Sequence, residues 1–157
     1  MVKKLFLLRH GHAASGYNMK DMERPLTEVG IEGVTLLSDK LNSINFQVDE
    51  SLISPSRRTR QTADLLLKKV DLGSVEYVDG IYEASTQNLF DILCTVKPSR
   101  QSLLMIGHNP GFSYLVEYLI DRRFAGMSPG DMVQIHFDVE GWNEITKGSG
   151  TIKPLFE

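Results

Sequence analysis

Apolar and polar positions change their period repeatedly along the chain, and each change marks an element. Residues 3–9 (KKLFLLR) form an apolar run that stops at Gly11, which predicts a strand. From Thr27, a residue suited to capping, Ile31, Val34, Leu37 and Leu41 recur at three-to-four spacing and predict a helix. Residues 51–54 read as a short buried strand. Residues 55–70 read as a helix with Ala63, Leu66, Leu67 and Val70 inward. Residues 75–78 form a weak strand, and 86–96 a helix carrying Leu89, Ile92, Leu93 and Val96. A strand at 103–106 leads into a helix at 110–120 with Phe112, Leu115, Val116 and Leu119 aligned. Residues 132–139 alternate like a strand, and 150–156 supply one more.

Strand–helix alternation of this kind predicts an α/β fold in three layers, a mostly parallel sheet with helices on both faces. No repeat, linker or charge block divides the chain, so residues 1–157 read as one domain. Composition agrees: 41% apolar and 24% charged residues, with glycines and prolines dispersed, exclude collagen-like, low-complexity and wholly disordered chains. No apolar run approaches the roughly 20 residues of a membrane span. Lys3 and Lys4 precede an apolar stretch too short for a signal-peptide core. Cys94 is the only cysteine, lies among apolar neighbours in a helical pattern and reads as core; without an internal disulfide, a cytoplasmic protein is expected. The net charge of −3 predicts no nucleic-acid partner. The oligomeric state is not set by the sequence, which is compatible with a monomer.

In such folds ligands bind at the carboxyl ends of the strands. Three strand ends carry unusual chemistry: Arg9-His10-Gly11-His12, Ser54-Pro55 followed by Arg57, Arg58 and Arg60, and Gly107-His108-Asn109-Pro110. Ser54 and Asn109 read as helix caps followed by proline at the first helical position, so two helix N-termini are expected to open toward one rim. With the arginines, that rim suits an anion, phosphate first. Singly, helical arginines are usually solvated, and His10 or His108 has a structural reading of equal weight. Arg9 differs, because a charge directly after a buried strand needs a partner. His136, mid-strand with no partner in view, reads as structural, and contact of His12 with a ligand stays open. Convergence of two histidines and two arginines from three strand ends is what points to a site.

These segments resemble a known family. Leu8-Arg9-His10-Gly11 resembles the Arg-His-Gly signature of the histidine phosphatase (phosphoglycerate-mutase-like) superfamily. Three further motifs follow in order: Arg24-Pro25-Leu26-Thr27 with Gly30, Ser54-Pro55-x-Arg57-Arg58-Thr59-Arg60-Gln61-Thr62-Ala63, and Ile106-Gly107-His108-Asn109-Pro110-Gly111. The short chain is similar to the SixA-type branch, whose members are phosphohistidine phosphatases. The resemblance implies a phosphoglycerate-mutase-like fold and a phosphatase working through a phosphohistidine on His10. Arg9, Arg58 and His108 would form the phosphate pocket with it, Arg58 being preferred to Arg57 because it stands three residues before Gln61. His10 would be neutral, its other ring nitrogen on a backbone carbonyl, and His108, if protonated, would hold a phosphate oxygen. Glu83 falls near the family's general acid. No metal or cofactor is implied. Where many relatives carry an asparagine, this chain has Gly16, with Asn18 two residues on.

The substrate is expected to be phosphohistidine of a partner protein, with a small phosphate compound as the alternative. A leaving imidazole, with a reference pKa of about 6.5, needs little acid help, whereas an alcohol needs a proton badly. The longest uncommitted stretches, 13–26 and 121–131, are modest, and an uncovered pocket would admit a side chain projecting from a folded protein. Two other readings stay open. His10-x-His12 also suits a metal-dependent hydrolase, although His108 and His136 are the remaining histidines, and a non-catalytic phosphate-binding module would share the fold. No Gly-x-Ser-x-Gly elbow supports a serine nucleophile.

Overall fold

A strand covered on both faces must be apolar at consecutive positions, and β1 (Val2–Arg9) shows why. Leu5 and Leu7 point into one core, Phe6 and Leu8 into another. The computed structural model describes residues 2–156. After β1 come α1 (Glu28–Ser43), β2 (Glu50–Ile53), α2 (Arg57–Leu67), β3 (Ser74–Tyr77), α3 (Thr86–Cys94), β4 (Ser102–Gly107), α4 (Gly111–Ile120), β5 (Met132–Asp138) and β6 (Gly150–Lys153). Single 3-10 turns occupy Asp21–Glu23, Asp79–Ile81 and Trp142–Glu144.

The sheet has six strands in the order β3-β2-β4-β1-β5-β6. β3, β2, β4 and β1 run parallel, and β5 and β6 add antiparallel at the far edge. One core packs Val34 and Leu41 of α1 with Ala63 and Leu66 of α2; the other packs Leu89 and Leu93 of α3 with Phe112, Leu115 and Leu119 of α4. The three-layer α/β fold with a mostly parallel sheet is as expected. After β1 the chain passes to α1 on one face of the sheet, and after β4 to α4 on the other, so the connections part at the carboxyl ends of these adjacent strands. Such a switch point leaves a crevice.

Tertiary packing corrects several local expectations. Val34, Ser38 and Leu41 face the core on α1, while Ile31 is exposed, because α1 turns Gly30 inward. A Cβ on Gly30 would stand 2.1 Å from the carbonyl oxygen of His12. Only glycine lets the helix start approach the strand exit that closely. On α2, Leu67 is exposed, and Val70 is buried just beyond the helix. Cys94 is half-buried at the end of α3 rather than core. The helices at 55–70 and 110–120 start later than expected, at Arg57 and Gly111. Ser56 caps α2 by accepting from the Thr59 N–H. Ser54 is not a cap, since its hydroxyl is bonded to His108. Pro110 is the residue preceding α4, though Asn109 Oδ1 does accept from the Ser113 N–H.

Candidate active site

The crevice holds His10 directly after β1 and His108 directly after β4, both buried, their ring centroids 5.3 Å apart. Backbone pairing continues past the strand ends: His10 N–H donates to Gly107 O at 3.1 Å, and Ser54 N–H to Ile106 O at 3.0 Å. Two residues of α2 beside Arg58 fix the surroundings. The Thr62 hydroxyl accepts from Gly11 N–H at 3.2 Å, and Gln61 Oε1 from Leu26 N–H at 2.7 Å. α2 thereby grips both the strand exit and the loop that returns to α1.

The hydrogen bonds assign the tautomers. His10 Nδ1 lies 2.7 Å from Gly11 O, a carbonyl that can only accept, so Nδ1 carries the proton and Nε2 is a lone pair. Arg58 Nε donates to that Nε2 at 3.3 Å. His10 is pushed down to about 4 by burial first, then by Arg58, Arg9 and Arg24, against the Gly11 hydrogen bond. His108 Nδ1 lies 3.3 Å from Arg58 Nη2, an obligate donor, so Nε2 bears the proton and gives it to Ser54 Oγ at 2.7 Å. Burial, followed by Arg58 and His10, pushes His108 down to about 3. In the free site His108 is thus neutral, and the condition under which it would hold a phosphate oxygen as a cation is not met before a ligand arrives.

Arg58, itself buried, is the centre of the cluster. Beyond the histidines, its Nη1 donates to Asp21 O at 2.7 Å and its Nη2 to Asp21 Oδ2 at 3.0 Å. Asp21 also accepts from Arg24 Nη1 at 3.0 Å and from the Tyr82 hydroxyl. The Tyr82 bond, ahead of Arg24 and Arg58, holds the Asp21 carboxyl well below the usual range against the opposing pull of burial. The same bond pushes Tyr82 up to about 12. Arg9 donates from Nη1 to Met127 O at 2.8 Å, an oxygen that Asn109 Nδ2 also reaches at 2.8 Å. Arg9 Nε is buried and has no acceptor among the described residues, an unmet donor in a residue that lines the pocket.

Arg9, His10, Arg58, His108 and Glu83 all border one cavity of about 520 Å³, together with Asp21 and Arg24. Glu83 is exposed there and has φ +50, a left-handed conformation costly for a residue with a Cβ. The other candidates stand apart. His12 is exposed, with Nδ1 2.8 Å from the Thr27 hydroxyl, so it and His10 do not present a shared ligand pair to this cavity. Among the described residues no group of three His, Cys, Asp or Glu side chains is placed to hold a metal. Arg57 is exposed, and Arg60 lies over the Tyr77 ring at 4.1 Å. Asn18 is exposed with φ +56 and does not line the cavity. His136 pairs with Gln134 on β5. The sequence marks neither Asp21 nor Tyr82 as a site residue, reads Ser54 as a helix cap on the rim, and offers Arg24 only within a motif. Their loop or strand-end positions gave no periodic signal, although the Asp21-x-x-Arg24 spacing suits an ion pair.

The family model of the histidine phosphatase superfamily (branch 1) matches residues 5–90. The chain belongs to the histidine phosphatase superfamily. That membership makes it a phosphatase, and the matched span includes Arg9, His10, Arg58 and Glu83, with His108 lying beyond it. No curated protein sequence matches the chain. Among solved structures, a candidate phosphohistidine phosphatase SixA from Nakamurella multipartitia is similar over 98% of this chain and 95% of that one, with TM-score 0.85 and 20% identity. The protein histidine phosphatase SixA complexed with tungstate gives 96% and 94% coverage, TM-score 0.83 and 24% identity. The phosphoglycerate mutase of Plasmodium falciparum gives 99% and 91%, with TM-score 0.70 and 18% identity. At these identities the likeness is one of fold. No helix among the described residues of this superfamily member is long and apolar enough to cross a membrane.

Proposed function

We propose that this protein is a phosphatase that works through a phosphohistidine on His10, without a metal, on phosphohistidine of a partner protein. The observation that carries the reading is the state of His10, a buried neutral imidazole whose Nδ1 proton is tied to Gly11 O and whose Nε2 lone pair faces Arg58. In the first step Nε2 forms a bond to phosphorus while the bond from phosphorus to the substrate's leaving nitrogen breaks. In the second, a water oxygen bonds to phosphorus, the Nε2–phosphorus bond breaks and phosphate departs. The leaving imidazole takes up one proton, from solvent or from Glu83 at the cavity edge, and the attacking water gives one up, so protons balance over the cycle.

Such transfers depend on positioning and on stabilising charge spread over the equatorial oxygens. Arg9 and Arg58 provide permanently charged forks for those oxygens, and the unmet Nε of Arg9 gains an acceptor. An arriving phosphoryl anion raises the pKa of His108 and lets it take up a proton as it binds. The connections that adjoin the pocket, 10–27, 78–85 and 121–131, contain nothing longer than single helical turns. Low walls support a phosphohistidine presented by a folded protein, and of the similar SixA structures one is described as a candidate phosphohistidine phosphatase and another as a protein histidine phosphatase. The partner reading is tested by comparing a phosphohistidine protein, phosphoramidate and simple phosphomonoesters side by side. The first two are expected to turn over faster; preference for a sugar phosphate by orders of magnitude contradicts the assignment.

A further inference from the structure

Asp21 presents an oddity: a carboxylate inside a pocket suited to an anion. It comes from the single 3-10 turn Asp21–Glu23, in a loop closed by the antiparallel bridge Ala13–Leu26 and tied down by Arg24 Nε on Ala14 O at 2.7 Å. Two of its oxygens, the backbone O and Oδ2, take the outer edge of the Arg58 guanidinium. Tyr82, delivered from the opposite wall just before α3, donates its hydroxyl to the same Oδ2. With that edge occupied, Nε of Arg58 is left facing His10, and Nη2 also faces His108.

We propose that Asp21, braced by Tyr82 and Arg24, is a positioning residue that holds Arg58 with its inner edge aimed at the phosphoryl group in flight. The inference rests on the phosphoryl-transfer reading above. A free arginine side chain has many rotamers, and ordering it during the reaction would cost rate; here the ordering is completed on folding. The carboxylate also offsets the repulsion between Arg24 and Arg58, which lets two guanidinium groups border one cavity. Tyr82 acts through Asp21: its hydroxyl fixes which way the carboxylate turns and reaches Arg58 only by way of Oδ2.

A competing role is that of a plug, in which Asp21 keeps Arg58 from substrate until displaced. The two differ in sign. Asp21→Asn keeps the shape but loses the charge and places donors against donors. If Asp21 positions Arg58, kcat for phosphoramidate falls on the order of 10- to 100-fold while KM changes less than about threefold, the pattern of an interaction made in the transition state. Tyr82→Phe loses a smaller factor, and the double variant is no slower than Asp21→Asn alone. The side-chain N–H signal of Arg58 Nε, sharp in the wild-type NMR spectrum, broadens in both single variants. A rate for Asp21→Asn equal to or above wild type, or losses that multiply in the double variant, overturns the proposal. Should Asp21→Asn fail to fold, Tyr82→Phe decides it: an unchanged rate and an unchanged Arg58 signal overturn it. A wild-type protein that turns over none of the phosphorylated probes counts against the phosphatase reading instead, and the Arg58 signal still reports whether Asp21 holds the guanidinium.

Discussion

Nε of Arg58 and Nε2 of His10 stand 3.3 Å apart, with the guanidinium donating. A permanently charged donor on the ring's lone pair disfavours a second proton there, and burial disfavours it more. By NMR titration His10 is expected to change charge near 4, not near its ordinary 6.5. Arg58→Met, which keeps an unbranched side chain of similar reach but removes the charge, moves that value upward. A wild-type His10 that titrates near 6.5 contradicts the account.

The same shifts set acid stability. Both His10 and His108 are lowered on folding, to about 4 and about 3. Between those values and 6.5 the unfolded chain binds protons that the folded one does not, so stability falls as pH drops through that window and is level above it. Denaturant titrations at pH 7 and pH 4.5 are expected to differ by a few kcal/mol, about 1.4 kcal/mol for each pKa unit traversed by each histidine. Equal stability at the two values would mean that neither imidazole is held neutral.

Ser54→Ala removes the only acceptor shown for His108 Nε2. Leaving that buried N–H unpaired costs about 1–3 kcal/mol in unfolding free energy. It also frees the ring to rotate, and kcat/KM is expected to fall roughly tenfold, the kinetic equivalent of one lost orienting hydrogen bond. Unchanged melting and kinetics in this variant contradict the tautomer assigned to His108.

Glu83 divides the two substrate classes. If it serves as acid for a leaving group, Glu83→Gln slows an alkyl phosphate by about 100-fold or more, the usual range for a positioned acid. Phosphoramidate, whose departing nitrogen is easily protonated, is expected to lose far less. Equal losses on both substrates contradict this division.

Much of this architecture is legible in the residue pattern because its cause is local. β1 and β4 are apolar at successive positions since each side chain enters one of two cores, and Arg9, His10 and His108 follow directly from those strand ends. Arg58 was separable from Arg57 only through motif spacing, since both sit in one helical turn and the fold buries one and exposes the other. The residue pattern predicts the starts of α2 and α4 too early because Pro55 and Pro110 resemble first-turn prolines, whereas the hydroxyl of Ser54 is committed to His108. Asp21 and Tyr82 meet across 61 positions of sequence, and no spacing rule joins two loops at that separation.

Lys3 illustrates the same limit. Nothing in its sequence neighbourhood names a partner for its charge, yet it is buried, and its ammonium donates to Pro98 O, Arg100 O and Gln101 Oε1. Lys3→Ala leaves those acceptors unpaired and opens a cavity, so thermal unfolding is expected to show a loss of about 2–4 kcal/mol. Activity per folded molecule stays near wild type, because the cluster lies at the other end of β1 from His10. A variant as stable as wild type contradicts the bonding described for this end of the sheet.

The central claim is a covalent phosphoryl bond to His10 Nε2. It is tested most directly by rapid quench of the enzyme with labelled phosphoramidate, followed by tryptic mapping under alkaline conditions. The account predicts phosphate on the peptide bearing His10, stable in alkali and lost in acid, and absent from His10→Ala. Turnover with no trapped phosphopeptide under conditions that preserve phosphohistidine, or equal labelling and turnover in His10→Ala, would contradict it.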